Sequence, residues 1–400
     1  MGAVLAKDRI WSVGVLDKDL RVFDIIMETK NGTTYNSFLV KGDEKTVLFE
    51  AVKDKFCEEF FANIREVCDP AEIDYVVCNH TEPDHSGCLK RLLELAPKAT
   101  VLGSNTAITF LGEILNEEFP HRVVTEKDEI DLGGLTLRFF STPMLHWPDT
   151  QFSYIPELKA LFSCDVFGCH YADDRIFNDL IGQAKDFIDA YKYYFDNIMG
   201  PYKNPHIGRA LDKIKDLSIE FIGNGHGPVL RQDIPSYIQM YREWSKSAQN
   251  PEKTVVIVYV SAYGYTRSLA NQMAEGLKEG GVKRVEMYDL VEDDMDAAKC
   301  AIEAADGILL GSPTLVGDAL PPIYEAMLCL NPVIHRGKFA GAFGSYGWSG
   351  EAVQNISSRL DQLHMTLPLP GLRVRLQPKE EDLEEARKFG ADFAKAMLEA

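Results

Sequence analysis

From residue 254 onward, apolar runs and amphipathic stretches alternate along the chain. Thr254-Val-Val-Ile-Val-Tyr-Val260 predicts a strand, and residues 266–280 predict the helix that follows it. The same pairing recurs four times: strand 284–289 with helix 296–305, 307–310 with 319–329, 339–343 with 349–363, and 373–376 with 381–399. Five strand–helix units in succession predict a doubly wound parallel sheet, with any ligand outside the carboxyl ends of its strands. The first 250 residues show a different rhythm. Strands are predicted at 46–49, 73–78, 135–140, 160–163 and 221–224, and helices at 53–68, 86–96, 105–117, 178–198 and 206–217. These strands do not alternate regularly with helices, which predicts packed sheets with helices outside.

The polar stretch 245–253 ends in Asn-Pro-Glu-Lys just before the first strong apolar run. It divides the chain into predicted domains 1–250 and 251–400. The full chain has 400 residues, long enough for two cores. Its 42 basic and 61 acidic side chains leave a net charge of −19, which argues against nucleic acid and anionic membrane as partners. No apolar run reaches the roughly 18 residues of a membrane span, and no signal peptide is visible, so a cytoplasmic location is expected. None of the eight cysteines forms a Cys-x-x-Cys pair. They read as scattered buried thiols in a reducing compartment. Seven of the nine histidines lie in the first 250 residues.

Four of those histidines form a pattern. His80-Thr-Glu82-Pro-Asp84-His85 follows directly after the apolar run 73–78, and a loop at a strand end can converge four ligands on one point. A polar turn would explain this segment alone. It would not explain three later residues in the same setting: His146 after strand 135–140, Asp165 after 160–163, and His226 after 221–222. Together they are read as a metal site.

The set resembles the metallo-β-lactamase fold, whose zinc hydrolases carry His-x-His-x-Asp-His and then His, Asp and His at wide spacings. This chain has Glu82 at the second His position. Three carboxylates and four imidazoles suit iron better than a zinc–thiolate site does. Three carboxylates also offset three of the four charges on two ferrous ions.

In the second domain, Ser261-Ala-Tyr263-Gly264-Tyr265-Thr266 joins the first strand to its helix, where hydroxyls and backbone N–H groups make an anion site. No Gly-Lys-Ser/Thr and no Gly-x-Gly-x-x-Gly is present, so a single phosphate, as in FMN, fits best. Two further strand-end loops support this. One is Ser312-Pro313-Thr314-Leu, and the other is Gly344-Ser345-Tyr346-Gly347-Trp348-Ser349-Gly350. Their aromatics can flank a flavin ring. The three loops together resemble flavodoxin.

A lactamase-like domain bearing Glu82, fused to a flavodoxin, resembles the flavodiiron protein family over essentially the whole chain. Leu145-His-Trp147-Pro-Asp149-Thr also resembles that family's His-Trp-Pro-Asp segment. The resemblance implies an N-terminal αββα sandwich and a C-terminal flavodoxin-like sheet. It implies reduction of dioxygen to water, or of nitric oxide to nitrous oxide, at two irons fed by FMN. By the same resemblance His80, Glu82 and His146 take one iron, Asp84, His85 and His226 the other, and Asp165 bridges. His170, near the site by sequence, reads equally as a hydrogen-bond donor to bound intermediates or as a plain surface histidine. A separate donor, rubredoxin or a reduced deazaflavin, is implied, as is a head-to-tail homodimer or a dimer of dimers. Two alternatives stay open at this level: a lactamase-fold hydrolase carrying a flavodoxin, and an electron carrier with a structural first domain.

Overall fold

The computed structural model describes residues 2–25, 27–246 and 252–400. Residues 247–251 of the predicted linker lie outside them. The chain forms two compact units, Met1–Ser247 and Ala248–Ala400.

The first unit contains two sheets. Seven strands make one, in the spatial order Val4–Lys7, Ile10–Ser12, Phe38–Lys41, Thr46–Phe49, Tyr75–Val77, Thr100–Gly103 and His121–Val123. Its first four strands pair antiparallel and the rest parallel. The other sheet runs Glu129–Asp131, Thr136–Ser141, Gln151–Ile155, Ala160–Cys164 and Phe221–Asn224, and only the last pair is parallel.

Side-chain alternation shows how the sheets stack. Val47 and Phe49 join the core between the sheets, while Leu48 joins the core under the helices. Ala160 and Phe162 face inward in the same way, and Leu161 faces the helices. The rings of Phe49 and Phe162 stack at 3.7 Å across the gap. Both faces of each sheet are therefore buried, which explains why these strands read as continuous apolar runs. The result is the αββα sandwich.

Several elements escaped the sequence pattern. The strands before residue 46, the strands Thr100–Gly103 and Gln151–Ile155, and the helix Ile234–Trp244 were not predicted. The predicted helix 178–198 is broken after Ile181, where Gly182 takes φ +72°. Helix Lys185–Tyr194 resumes beyond it. The cysteine expectation also needs correction. Helix Cys57–Arg65 packs beside the start of helix Leu89–Leu95, bringing the Cα atoms of Cys57 and Cys88 to 5.5 Å, and the two form a disulfide. Cys68, Cys78, Cys164 and Cys169 are buried thiols, whereas Cys300 is exposed.

The second unit is a five-stranded parallel sheet. Its order is Arg284–Asp289, Thr254–Tyr259, Gly307–Gly311, Phe339–Tyr346, Leu372–Arg375, the 2-1-3-4-5 order of flavodoxin-like folds. Helices Tyr265–Glu279 and Glu380–Leu398 cover one face, and Met295–Ala304, Pro321–Met327 and Glu351–Gln362 the other. The first two helices pack so closely that a Cβ on Gly276 would lie 1.8 Å from the Arg387 carbonyl. Among the described residues, no helix is long and apolar enough to cross a membrane.

Candidate functional site

All seven predicted metal ligands meet at the carboxyl ends of strands in the first unit. Tyr75–Val77 leads into His80 and Glu82, and a short helix, Pro83–Ser86, carries Asp84 and His85. Thr136–Ser141 leads toward His146, Ala160–Cys164 ends beside Asp165, and Phe221–Asn224 ends two residues before His226.

The donor atoms form two groups. His80 Nε2 and His146 Nε2 lie 3.1 and 3.0 Å from Glu82 Oε2, and 3.5 and 3.3 Å from Asp165 Oδ2. In the second group, His85 Nε2 and His226 Nε2 lie 2.9 and 3.4 Å from Asp165 Oδ1. Asp84 Oδ1 is 3.6 Å from His85 Nε2, and Asp84 Oδ2 is 3.2 Å from His226 Nε2. Ligands held about 2.1 Å from a first-row metal stand about 3.0–3.4 Å apart, so each group has the spacing of one ion's shell. Asp165 gives one oxygen to each.

The chemistry of the donors fits metal as well. Both Asp84 oxygens, His85 Nε2 and Asp165 Oδ1 are buried without a hydrogen-bond partner. Buried polar atoms are rarely left so, and four in one spot mark a place for a cation. A Cβ on Gly225 would lie 2.7 Å from His85 Cε1 and 3.1 Å from Asp165 Oδ1, so only glycine fits against this cradle.

Electrostatics follow from the packing. Burial pulls His85 down, but the Asp84 and Asp165 carboxylates outweigh it and hold the ring up at about 10. His146 is likewise lowered by burial and raised more by Asp165 and Glu82, to about 9. Burial pushes Asp165 up, yet His85 and His146 hold it well below the usual carboxylate range. The surrounding carboxylates thus favour the protonated form of both His85 and His146 at pH 7 before metal enters. A ligating nitrogen must be free, so metal loading at pH 7 is expected to release at least these two protons. A pH-stat titration of metal-free protein with ferrous ion measures this. Affinity should weaken as pH falls; loading with no proton release contradicts the ligand set.

Around the donor groups, Asp149, Asp24 and Glu50 are residues to which the sequence reading gave no role. Asp149 is fully buried, and both of its oxygens lie 3.3 Å from His80 Nδ1. Thr81 N and Oγ1 donate to Asp149 Oδ2 at 2.7 and 2.8 Å. Its place in the His-Trp-Pro-Asp segment was a usable signal. His226 Nδ1 donates to the Thr34 carbonyl at 2.6 Å. Burial and the nearby Glu82 and Asp84 raise the Asp24 carboxyl to about 6. Burial raises Glu50 to about 7, with His85 and the Asn79 N–H pulling the other way. Neither of these two stands in a motif. His170 is buried, not a surface residue; its Nδ1 lies 2.8 Å from Thr33 Oγ1 and its Nε2 has no partner.

The second unit has a cleft of about 180 Å³ at its strand ends. Tyr263, Tyr265, Pro313, Thr314, Ser345, Tyr346, Gly347, Trp348 and Ser349 line it, all predicted flavin contacts. Trp348 and Tyr263 are 89% and 79% exposed, an arrangement that suits aromatics waiting for a flat ligand. The other predicted contacts, Ser261, Gly264, Thr266, Ser312 and Gly350, are not part of the lining. They shape the loops instead. Ser261 Oγ accepts from Arg267 N, Thr266 Oγ1 pairs with Ser345 Oγ, and Ser312 Oγ accepts from Leu320 N. Gly264 and Gly350 take φ +81° just before helices. Val316, Gly317 and Leu376 also line the cleft. Leu376 follows the fifth strand, whose strand-end loop was the missed signal.

Comparison with known proteins agrees with this geometry. Residues 33–227 match the family described as ODP family beta lactamase, and residues 257–390 match flavodoxin. A flavo-diiron protein of Clostridium acetobutylicum is 42% identical over 99% of this chain and 100% of its own length. The chain belongs to the flavodiiron protein family. A type A flavoprotein of Rhodobacter capsulatus is 43% identical over 98% of this chain and 91% of its own. Among solved structures, rubredoxin oxygen:oxidoreductase from Desulfovibrio gigas aligns over 99% of both chains, with a TM-score of 0.71 and 30% identity. The flavodiiron protein of Giardia intestinalis covers 100% of this chain and 97% of its own, at 0.69 and 29%.

As a flavodiiron protein the chain is an oxidoreductase that uses a diiron site and FMN. This leaves no room for the hydrolase or for a carrier with an idle first domain. The bound flavin should be FMN, because the cleft offers a single phosphate loop and no dinucleotide fingerprint. Acid release and chromatography check this; FAD as the main flavin would overturn the loop assignment.

Proposed function

We propose that this chain reduces dioxygen to water, nitric oxide to nitrous oxide, or both, with electrons passed through FMN from a separate donor. In this reading His80, Glu82 and His146 hold one iron, Asp84, His85 and His226 hold the other, and Asp165 bridges. The observation that carries it is the division of the Asp165 oxygens between two complete donor groups, with a carboxylate at Glu82. When bound, two ferrous ions and reduced FMN would together supply the electrons that the reduction of either gas requires.

The protein's share is placement. Asp165 fixes the separation of the two donor groups. Asp149 orients His80, and the Thr34 carbonyl orients His226, each through Nδ1, so that Nε2 faces inward. Glu82, Asp84 and Asp165 balance most of the charge that two divalent ions bring. Ser261, Tyr263, Gly264, Tyr265, Thr266, Ser312, Pro313, Thr314 and Ser345 through Gly350 hold or shape the flavin site.

The donor is rubredoxin or a reduced deazaflavin, and the setting is gas scavenging in the cytoplasm of an anaerobe. The similarity to an enzyme that pairs rubredoxin with dioxygen supports the first donor. Metal analysis together with anaerobic mixing of the reduced protein with each gas tests the proposal. About two irons per chain and rapid flavin reoxidation by at least one gas are expected. Zinc in their place, or a reduced protein inert to both gases, sinks it.

A further inference from the structure

His85 stands apart from the histidines beside it. His80 Nδ1 has Asp149 and His226 Nδ1 has the Thr34 carbonyl. His85 Nε2 faces Asp165 Oδ1 at 2.9 Å, but its Nδ1 is buried with no hydrogen-bond partner. Glu50 and Cys164 are the polar side chains that cluster with this ring outside the ligand set. A Glu50 oxygen, a His85 ring nitrogen and Cys164 Sγ all lie within 4.8 Å of one another.

Glu50 is an unusual residue to find there. It is 3% exposed and follows strand Thr46–Phe49 with φ +59°, a conformation that costs energy outside glycine. Its Oε1 accepts from Asn79 N at 2.9 Å, while Oε2 has no partner. A buried carboxylate oxygen without a partner is unfavourable, and so is a buried ring nitrogen. Here the two orphans belong to side chains that meet in one buried cluster with Cys164.

The backbone holds them in register. Ala51 N donates to the His85 carbonyl at 2.8 Å, and Glu50 N to that of Val77 at 2.9 Å. Ser37 Oγ donates to the Glu50 carbonyl at 2.8 Å.

We propose that Glu50 is a positioning residue for the diiron site: its Oε2 accepts a hydrogen bond from His85 Nδ1. That bond fixes the tautomer that leaves Nε2 free for the ion shared with Asp84 and His226. Glu50 then does for His85 what Asp149 does for His80. The inference rests on the reading of His85 as a ligand.

The test is a cobalt(II) titration of the full-length, FMN-loaded, metal-free protein, with histidine nitrogen NMR shifts as a second readout. Wild type should bind two equivalents. Glu50→Leu should keep the first and bind the second about 10–100-fold more weakly. His85 should lose its single Nδ1–H form. Glu50→Gln offers one oxygen to two donors and should fall between. Ser37→Ala disturbs the same turn without touching the carboxylate and should leave both affinities unchanged.

A folded Glu50→Leu with two wild-type affinities overturns the proposal. So does Ser37→Ala reproducing the loss. If Glu50→Leu does not fold, Glu50→Gln decides, and an unchanged second affinity there is equally fatal. His85→Ala separates the two readings: if it leaves the second equivalent tight, His85 is no ligand and the proposal falls with that assignment.

Discussion

Asp165→Ala is expected to strip both irons and reduce gas turnover to background while leaving FMN bound. The argument is geometric. Asp165 Oδ2 lies 3.5 and 3.3 Å from His80 and His146 Nε2, and Oδ1 lies 2.9 and 3.4 Å from His85 and His226 Nε2. No other side chain is common to both donor groups, so no other single truncation opens both. His146→Ala, by contrast, removes one of four donors from one group and should mainly lower the occupancy of that ion. Electrostatics sharpen the contrast. Asp165 is buried among four imidazoles, and without it their charges lose the carboxylate that offsets them. The flavin cleft belongs to the other unit and has its own core, so FMN content serves as the internal control for folding. Elemental analysis and flavin release on the same sample give the answer. Two irons retained with full turnover would remove the bridging role.

The parts of this site that sequence exposes, and the parts it hides, differ for a physical reason. The ligands are legible because each stands at the end of an apolar strand beside turn residues, so chemistry and punctuation coincide. The parallel sheet is legible because its three inner strands, Thr254–Tyr259, Gly307–Gly311 and Phe339–Tyr346, are buried on both faces, and every strand from residue 254 on is followed by an amphipathic helix. Glu50 and Asp24 were invisible. Each is a lone carboxylate in no motif, and its meaning comes from partners in distant segments, such as Asn79, His85 and Glu82. Asp149 lay within a recognised segment, yet its task appeared only when folding set it against His80 Nδ1. The Cys57–Cys88 disulfide was hidden in the same way, because 31 residues of chain say nothing about two helices meeting. The early strands failed for another reason. Segments of two to four residues, such as Val22–Phe23 and Met27–Glu28, are too short to carry a period.

The second large effect concerns assembly. Electrons must pass from FMN to iron over a short gap, and both sites lie at strand ends of separate units. The stretch 245–253 has nine residues and spans at most roughly 30 Å when extended. Nothing in its sequence obliges the two mouths of one chain to meet. A head-to-tail homodimer meets the need, since one two-fold operation sets each flavin against its partner's irons twice. This arrangement is our proposal, and mixed dimers test it. One chain carries Asp165→Ala and His146→Ala and so lacks metal. The other has altered loops at 261–266 and 345–350 and so lacks FMN. Each variant should be inactive as a homodimer. The heterodimer retains one intact flavin–iron pair across the interface, and should recover about half the turnover of a wild-type dimer, as one of two pairs remains. Transfer within a single chain predicts the reverse, because neither chain then holds both centres. Heterodimers verified by mass, with the remaining iron and FMN both occupied and yet no recovered turnover, would establish transfer within one chain.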